Sequence, residues 1–135
     1  MEMKEYKKMK TILNDRTEAD FRKLESEYKK GLKDKSSVVR LSSLINLGSL
    51  YLELKMYPES ETALLKAAGT AGTKTAGTKM SVVYKNLGTV NLKLFKLPEA
   101  EKYYLEALKI TQPNNRRIIS FLYSGLGDVY TKMTR

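Results

Sequence analysis

The chain contains no cysteine and no histidine among its 135 residues. Without cysteine there is no disulfide framework, no thiolate nucleophile and no cysteine-ligated zinc, and losing histidine as well removes most metal sites and most general-base catalysis. Long apolar runs are missing too. The longest fall well short of the ~20 residues needed to span a bilayer, and the N-terminal MEMKEYKKMK is charged throughout, without the apolar core of a signal peptide. Carboxylates are scarce: 15 Asp and Glu stand against 25 Lys and Arg, a net charge of +10 that favours acidic partners and opposes self-association. The shortage is local. No acidic residue lies between Glu61 and Glu99, where Lys66, Lys74, Lys79, Lys85, Lys93 and Lys96 all fall. These absences point away from an enzyme, a cofactor or metal protein and a membrane-inserted chain, and toward a cytoplasmic protein long enough for one domain.

What is present is a repeat. Asn46–Ala68, NLGSLYLELKMYPESETALLKAA, returns forty residues later as Asn86–Leu108, NLGTVNLKLFKLPEAEKYYLEAL, with ten of twenty-three positions identical. A third, shorter echo runs from Tyr123 to Tyr130 at an offset of thirty-nine from Tyr84–Asn91.

The apolar spacing throughout is helical. Met3, Tyr6, Met9 and Leu13 suggest a short helix over 2–13, and Thr17 with Asp20 three positions on suits the start of a second. Phe21, Leu24, Tyr28 and Leu32 carry that helix to about Lys33, and Leu41, Leu44, Leu47, Tyr51 and Leu54 mark the next after a break at Lys35-Ser36-Ser37. Gly48 sits inside the apolar face and recurs as Gly88 and Gly127. A helix-interior glycine costs about 1 kcal/mol against alanine, so its recurrence implies a helix approaching where no side chain fits. Pro58 and Pro98 stand where returning helices begin, followed by acidic residues that suit the positive end of the helix dipole. Those helices bury Ser60, Leu64 and Ala67, then Ala100, Tyr104 and Ala107. Residues 69–78, rich in Gly, Thr and Ala, read as a surface loop with frayed helical ends, and Asn114 or Asn115 is placed to cap the last helix. Ile119, Leu122, Leu126, Val129 and Met133 form one stripe of that helix with no partner following it.

The unit Leu47-Gly48, Tyr51, Tyr57-Pro58-Glu59-Ser60, Leu64, Ala67, with its second copy Leu87-Gly88, Pro98-Glu99-Ala100, Tyr104, Ala107, resembles the tetratricopeptide repeat. The second copy has Asn91 where the aromatic belongs. The family's usual period is about 34 residues; the longer one here is similar to the repeats of kinesin light chains, of spindle-orientation adaptors and of peptide-sensing regulators of Gram-positive bacteria. The resemblance implies an all-α, right-handed α-solenoid of antiparallel helix pairs, two and a half to three repeats long. Residues 1–35 then form a degenerate N-terminal repeat or capping helices, with Leu24, Tyr28 and Gly31 laid on Ser60, Leu64 and Ala67. Residues 38–72 and 78–112 form two repeats, and 115–135 the first helix of a further repeat or a C-terminal cap. Repeat packing falls to Leu47, Gly48, Tyr51, Pro58, Ala67, Leu87, Gly88, Pro98, Ala107, Leu126, Gly127 and Tyr130.

The resemblance further implies a non-catalytic adaptor or scaffold that binds a partner's peptide or helix in a concave groove lined by the first helix of each pair. The groove residues are then Ser42, Ile45, Asn46, Ser49, Leu52 and Glu53; Val82, Lys85, Asn86, Thr89, Leu92 and Lys93; and Phe121, Ser124, Asp128 and Lys132. Asn46 and Asn86 are the leading candidates, since an amide both donates to and accepts from a partner's backbone. Lys85 and Lys93 are placed to clamp acidic groups. Nucleic acid is the rival use of the positive charge, disfavoured because no motif of recognised spacing and no interleaving of basic with exposed aromatic residues appears. The tyrosines read as packing, with Tyr28, Tyr51, Tyr84, Tyr104, Tyr123 and Tyr130 on buried faces and Tyr57 and Tyr103 partly exposed. Residues 69–75 lack phosphate-loop spacing and follow a helix, so they read as a linker. The uncovered stripe of the last helix leads to an expectation of homodimerisation through residues 115–135, or of a longer parent chain.

Overall fold

The computed structural model describes residues 18–70 and 77–134. The expected helix over 2–13, the capping Thr17 and the middle of the Gly/Thr/Ala tract lie outside the described residues.

Six helices are seen: α1 (Glu18–Gly31), α2 (Ser37–Glu53), α3 (Tyr57–Thr70), α4 (Gly77–Lys93), α5 (Leu97–Ile110) and α6 (Arg116–Met133). Each packs on the next, and α2, α4 and α6 also touch in succession. The result is an all-α solenoid of about three antiparallel helix pairs, with the first helices in one layer, the returning helices in another, and no strand among the described residues.

Local chemistry sets the helix ends. The Ser36 hydroxyl accepts the Val39 N–H at 3.4 Å, and Asn115 does the same for Ile118 at 3.4 Å, each satisfying a first-turn donor that has no partner inside its helix. Both turns within a repeat close alike. Met56 N–H bonds Tyr51 C=O and Lys55 N–H bonds Leu52 C=O; Lys96 with Asn91 and Phe95 with Leu92 repeat the pattern. This double closure needs a left-handed residue, and Lys55 and Phe95 supply it at φ 61° each. Pro58 and Pro98 are exposed second residues of α3 and α5, so they act by starting a helix rather than by packing.

One core cluster joins α2, α3 and α4 through Leu41, Leu44, Leu64, Ala67, Val83, Leu87 and Val90. A second joins α4, α5 and α6 through Leu92, Ala100, Tyr104, Ala107, Leu122, Leu126 and Val129. Full burial of each large apolar side chain contributes about 1.5–3 kcal/mol. Where the helices of a pair meet, a Cβ built on Gly48 lies 2.6 Å from the Leu64 side chain, and one on Gly88 lies 2.5 Å from the Tyr104 ring. The Ser60 hydroxyl, fully buried, donates to Gly48 C=O at 2.7 Å in the same contact.

Successive pairs are also tied by polar contacts. The Tyr51 hydroxyl donates to Glu25 at 2.5 Å across α1 and α2. The matching pair between α5 and α6 is Tyr130 with Glu101, which lies near enough to raise the Tyr130 pKa. In the middle Asn91 replaces the tyrosine. Its amide bonds Leu87 C=O at 2.7 Å, and Glu61 meets Lys96 at 3.2 Å instead.

The last helix departs from expectation. Leu122, Leu126 and Val129 are buried against α5 and only Met133 of the exposed set belongs to that stripe. Among the returning helices a first helix has two neighbours, the one before it and its own after it, and the leucine stripe serves the earlier one. The uncovered face is a different one. Tyr123 and Tyr130, expected to be buried, are 64% and 43% exposed, and a Cβ on Gly127 meets nothing within 4 Å.

Candidate functional site

The layer of α2, α4 and α6 presents one open face, stitched by side chains at helical spacing. Lys79 Nζ donates to Ser42 Oγ at 2.8 Å and, two turns further on, Asn86 Nδ2 donates to Ser49 Oγ at 3.1 Å. These contacts hold α4 against α2. Between α4 and α6, Lys85 Nζ lies 4.7 Å from the centroid of the Phe121 ring, an arrangement attractive to a cation because of the ring's negative face.

Lys85 is the electrostatic centre of the face. Burial lowers its pKa, and the nearby Arg117 guanidinium lowers it further. Both causes disfavour the charged ammonium. Among the described residues neither Lys85 nor Arg117 has a carboxylate within ion-pair distance. A half-buried lysine and an exposed arginine thus lie close together, with the Phe121 ring beside the lysine. An incoming carboxylate would relieve that repulsion.

The sequence-derived groove residues divide into three groups. Asn46, Lys93, Phe121, Ser124 and Asp128 are exposed on α2, α4 and α6, as is Glu53. Ser42, Ile45, Leu52, Val82, Lys85 and Lys132 are half-buried, so an edge of each reaches the surface. Asn86 and Leu92 are buried, and the hydroxyls of Ser49 and Thr89 are already engaged, Thr89 with Lys85 C=O at 3.1 Å and with the Tyr104 hydroxyl at 2.9 Å. The two asparagines therefore differ: Asn46 faces outward, while Asn86 spends its amide on stacking.

Sequence reasoning left Lys79 and Arg117 out of the groove. Lys79 stands in the lysine-rich gap just past the expected loop of 69–78 and before Val82, the first matched groove position of its repeat, and Arg117 lies before the first repeat-matched position of α6. Their signal is helical spacing alone: Lys79 is one heptad before Asn86, and Arg117 is one turn before Phe121. Among the described residues no group of three His, Cys, Asp or Glu side chains is placed to hold a metal ion, and no helix is long and apolar enough to cross a membrane.

Comparison with known proteins gives one family. The family model described as tetratricopeptide repeat matches residues 39–112, which takes in α2 through α5. No curated protein and no solved structure matches the chain.

Proposed function

The chain belongs to the tetratricopeptide repeat family, and from that premise we propose that its α2–α4–α6 face is a non-catalytic binding surface for a peptide or helix of acidic character. The observation that carries this reading is the unpaired Lys85–Arg117 couple, set beside Phe121 on the face the family uses for partners. A carboxylate docking there would offset the Arg117 repulsion felt by the Lys85 ammonium, while the Phe121 ring offers apolar area to the side chain's stem. Asn46 lies on the same face, with an amide suited to a partner's backbone. Lys93 and the net charge of +10 steer acidic clients toward it, an effect that salt weakens. The stitched helices preorganise the surface, so little receptor entropy is lost on binding. The forty-residue period supports likening the chain to the long-repeat members, such as kinesin light chains, and with it a reading as a cytoplasmic adaptor.

The test is calorimetric titration of the folded chain with a Glu-rich peptide and its Gln counterpart at low and high salt. The Glu-rich peptide is expected to bind, more weakly as salt rises, and Lys85→Gln with Arg117→Gln is expected to reduce affinity about tenfold or more. Equal binding of both peptides, or equal binding by the double variant, overturns the reading. RNA and DNA titrated alongside decide the rival use of the charge: steep salt-dependent association with nucleic acid, and none with peptide, would replace the peptide surface with a nucleic-acid one.

A further inference from the structure

The antiparallel plan brings six helix ends to one edge of the solenoid: the C-terminal ends of α1, α3 and α5 and the N-terminal ends of α2, α4 and α6. Side chains tie these ends together. Arg40, near the start of α2, donates to the Asp34 and Lys35 carbonyls after α1 at 2.7 and 2.9 Å. Thr111, just past α5, donates to Ser81 near the start of α4 at 3.1 Å, and Lys79 reaches from α4 to Ser42 of α2 at 2.8 Å.

The positive excess of the chain gathers on this edge. Lys33, Lys35, Lys66, Lys109 and Arg116 are exposed there, and none has an ion-pair partner among the described residues. Of the carboxylates close by, Asp34 already accepts the Ser36 N–H at 2.8 Å and Glu106 is half-buried. The connection 71–76 adds Lys74 and no acidic residue. At the opposite edge the signs are mixed: Glu53, Glu59, Glu99 and Asp128 are exposed beside Lys55 and Lys93, and Lys96 is paired with Glu61.

Aliphatic side chains accompany the cations. Val38 and Val39 in the first turn of α2 and Ile110, the last residue of α5, are exposed on the basic edge, whereas the exposed aromatic residues lie elsewhere, Phe95 at the opposite edge and Phe121, Tyr123 and Tyr130 along α6. This exposure is independent of where the solenoid stops. Helices α2 to α5 are packed on both sides, yet Val38, Lys66, Lys109 and Ile110 stay exposed, so a further repeat would lengthen the edge without covering it.

We propose that this edge docks the chain on the surface of a bilayer rich in anionic phospholipid, with no helix inserted. The cations meet the headgroup phosphates and carboxylates, and the tips of Val38, Val39 and Ile110 enter the apolar boundary beneath them. Nucleic acid also offers phosphates, but its bases are held by aromatic stacking, and aliphatic tips gain little there. The helices then stand upright on the membrane. The α2–α4–α6 face opens sideways, free for its own partner.

The probe is co-sedimentation of the full chain with vesicles of phosphatidylcholine alone or containing about 30% phosphatidylserine, at low and high salt. Binding is expected only with phosphatidylserine and is expected to fade with salt. Lys66→Gln with Lys109→Gln should weaken it about fivefold or more, whereas the charge-matched control Lys55→Gln with Lys102→Gln, away from the edge, should change it less than about twofold. Val38→Ser with Ile110→Ser should weaken it about threefold or more, and all these exposed substitutions should leave circular dichroism unchanged. Absence of binding to phosphatidylserine vesicles, equal losses in the edge and control variants, or no loss in the Val38/Ile110 variant overturns the proposal. So does tighter binding of RNA or DNA at the same salt that the Val38/Ile110 variant leaves unchanged, which would assign the edge to nucleic acid.

Discussion

The repeats 37–70 and 77–110 share their backbone plan and differ in how they fill it. Over Gly48 sits Leu64; over Gly88 sits Tyr104, whose ring tip also reaches α6, where a Cβ on Gly125 would lie 2.6 Å from it. The residue of α4 that matches Gly125 is Asn86, which instead bonds Ser49. An aromatic in the second returning helix thus goes with a glycine in the helix that follows, and a leucine in the first goes with an asparagine. The outer side shows the same exchange. A hollow of about 260 Å³ is lined by Leu44 and Ala63 in the first repeat, whereas at the matching place in the second Tyr84 and Tyr103 stack at 6.2 Å. Shared residues set the approach of the helices, and paired differences decide whether space is filled by rings or left to polar contacts.

Breaking the aromatic side of this comparison should have the largest effect. Tyr104 touches α4, α5 and α6 at once, so Tyr104→Ala is expected to cost about 3–5 kcal/mol in urea unfolding. The loss should fall on α6 as well as on its own repeat, seen as hydrogen exchange spreading to residues 116–133. A smaller effect comes from forcing the first repeat to imitate the second. Leu64→Tyr is expected to destabilise by about 1–3 kcal/mol through overpacking, and adding Asn86→Gly should recover part of that. A double-mutant cycle measures the recovery, and strict additivity would separate the two positions.

The smallest effect concerns the polar tie of the first repeat. Tyr51→Phe is expected to cost about 1–2 kcal/mol. Burial acts to raise the Glu25 pKa, the Tyr51 hydrogen bond and Lys29 act to lower it, and the net shift is downward. The Glu25 contribution is therefore present above the ordinary carboxyl value and lost as pH falls through the lowered one. Tyr51 is shifted upward by burial and by Glu25, so its contribution is present below the ordinary phenol value and lost as pH rises through the raised one. The variant should flatten stability at both ends of the pH range relative to the wild type.

Much of this architecture is legible in the sequence because it rests on helical periodicity and on the recurrence of Gly48 as Gly88 with small residues opposite. Asn115 as a cap and the prolines as helix starts follow from local chemistry in the same way. The turn residues Lys55 and Phe95 are hidden in the sequence, since neither glycine nor asparagine announces their left-handed backbone; the double hydrogen-bond closure at the end of each first helix holds it. The outer face of α6 was hidden for another reason. Periodicity shows that a helix has an apolar stripe but not which neighbour covers it, so it points to Leu122, Leu126 and Val129 as the open side, whereas Tyr123, Gly127 and Tyr130 are the exposed residues. In the candidate site, spacing placed Asn46 and Asn86 together, and only the burial of Asn86 against Ser49 separates surface from seam. The Lys85–Arg117 couple depends on the distance between two helices, which no local pattern records.

The central claim, that the α2–α4–α6 face receives an acidic peptide around Lys85, is tested most directly by nitrogen-15 NMR of the chain during titration with a Glu-rich peptide. Shifts are expected to concentrate at Asn46, Lys85, Phe121 and Ser124, with Lys85→Gln removing them. Shifts confined to the outer surfaces of α3 and α5, or unchanged by that substitution, would contradict the claim.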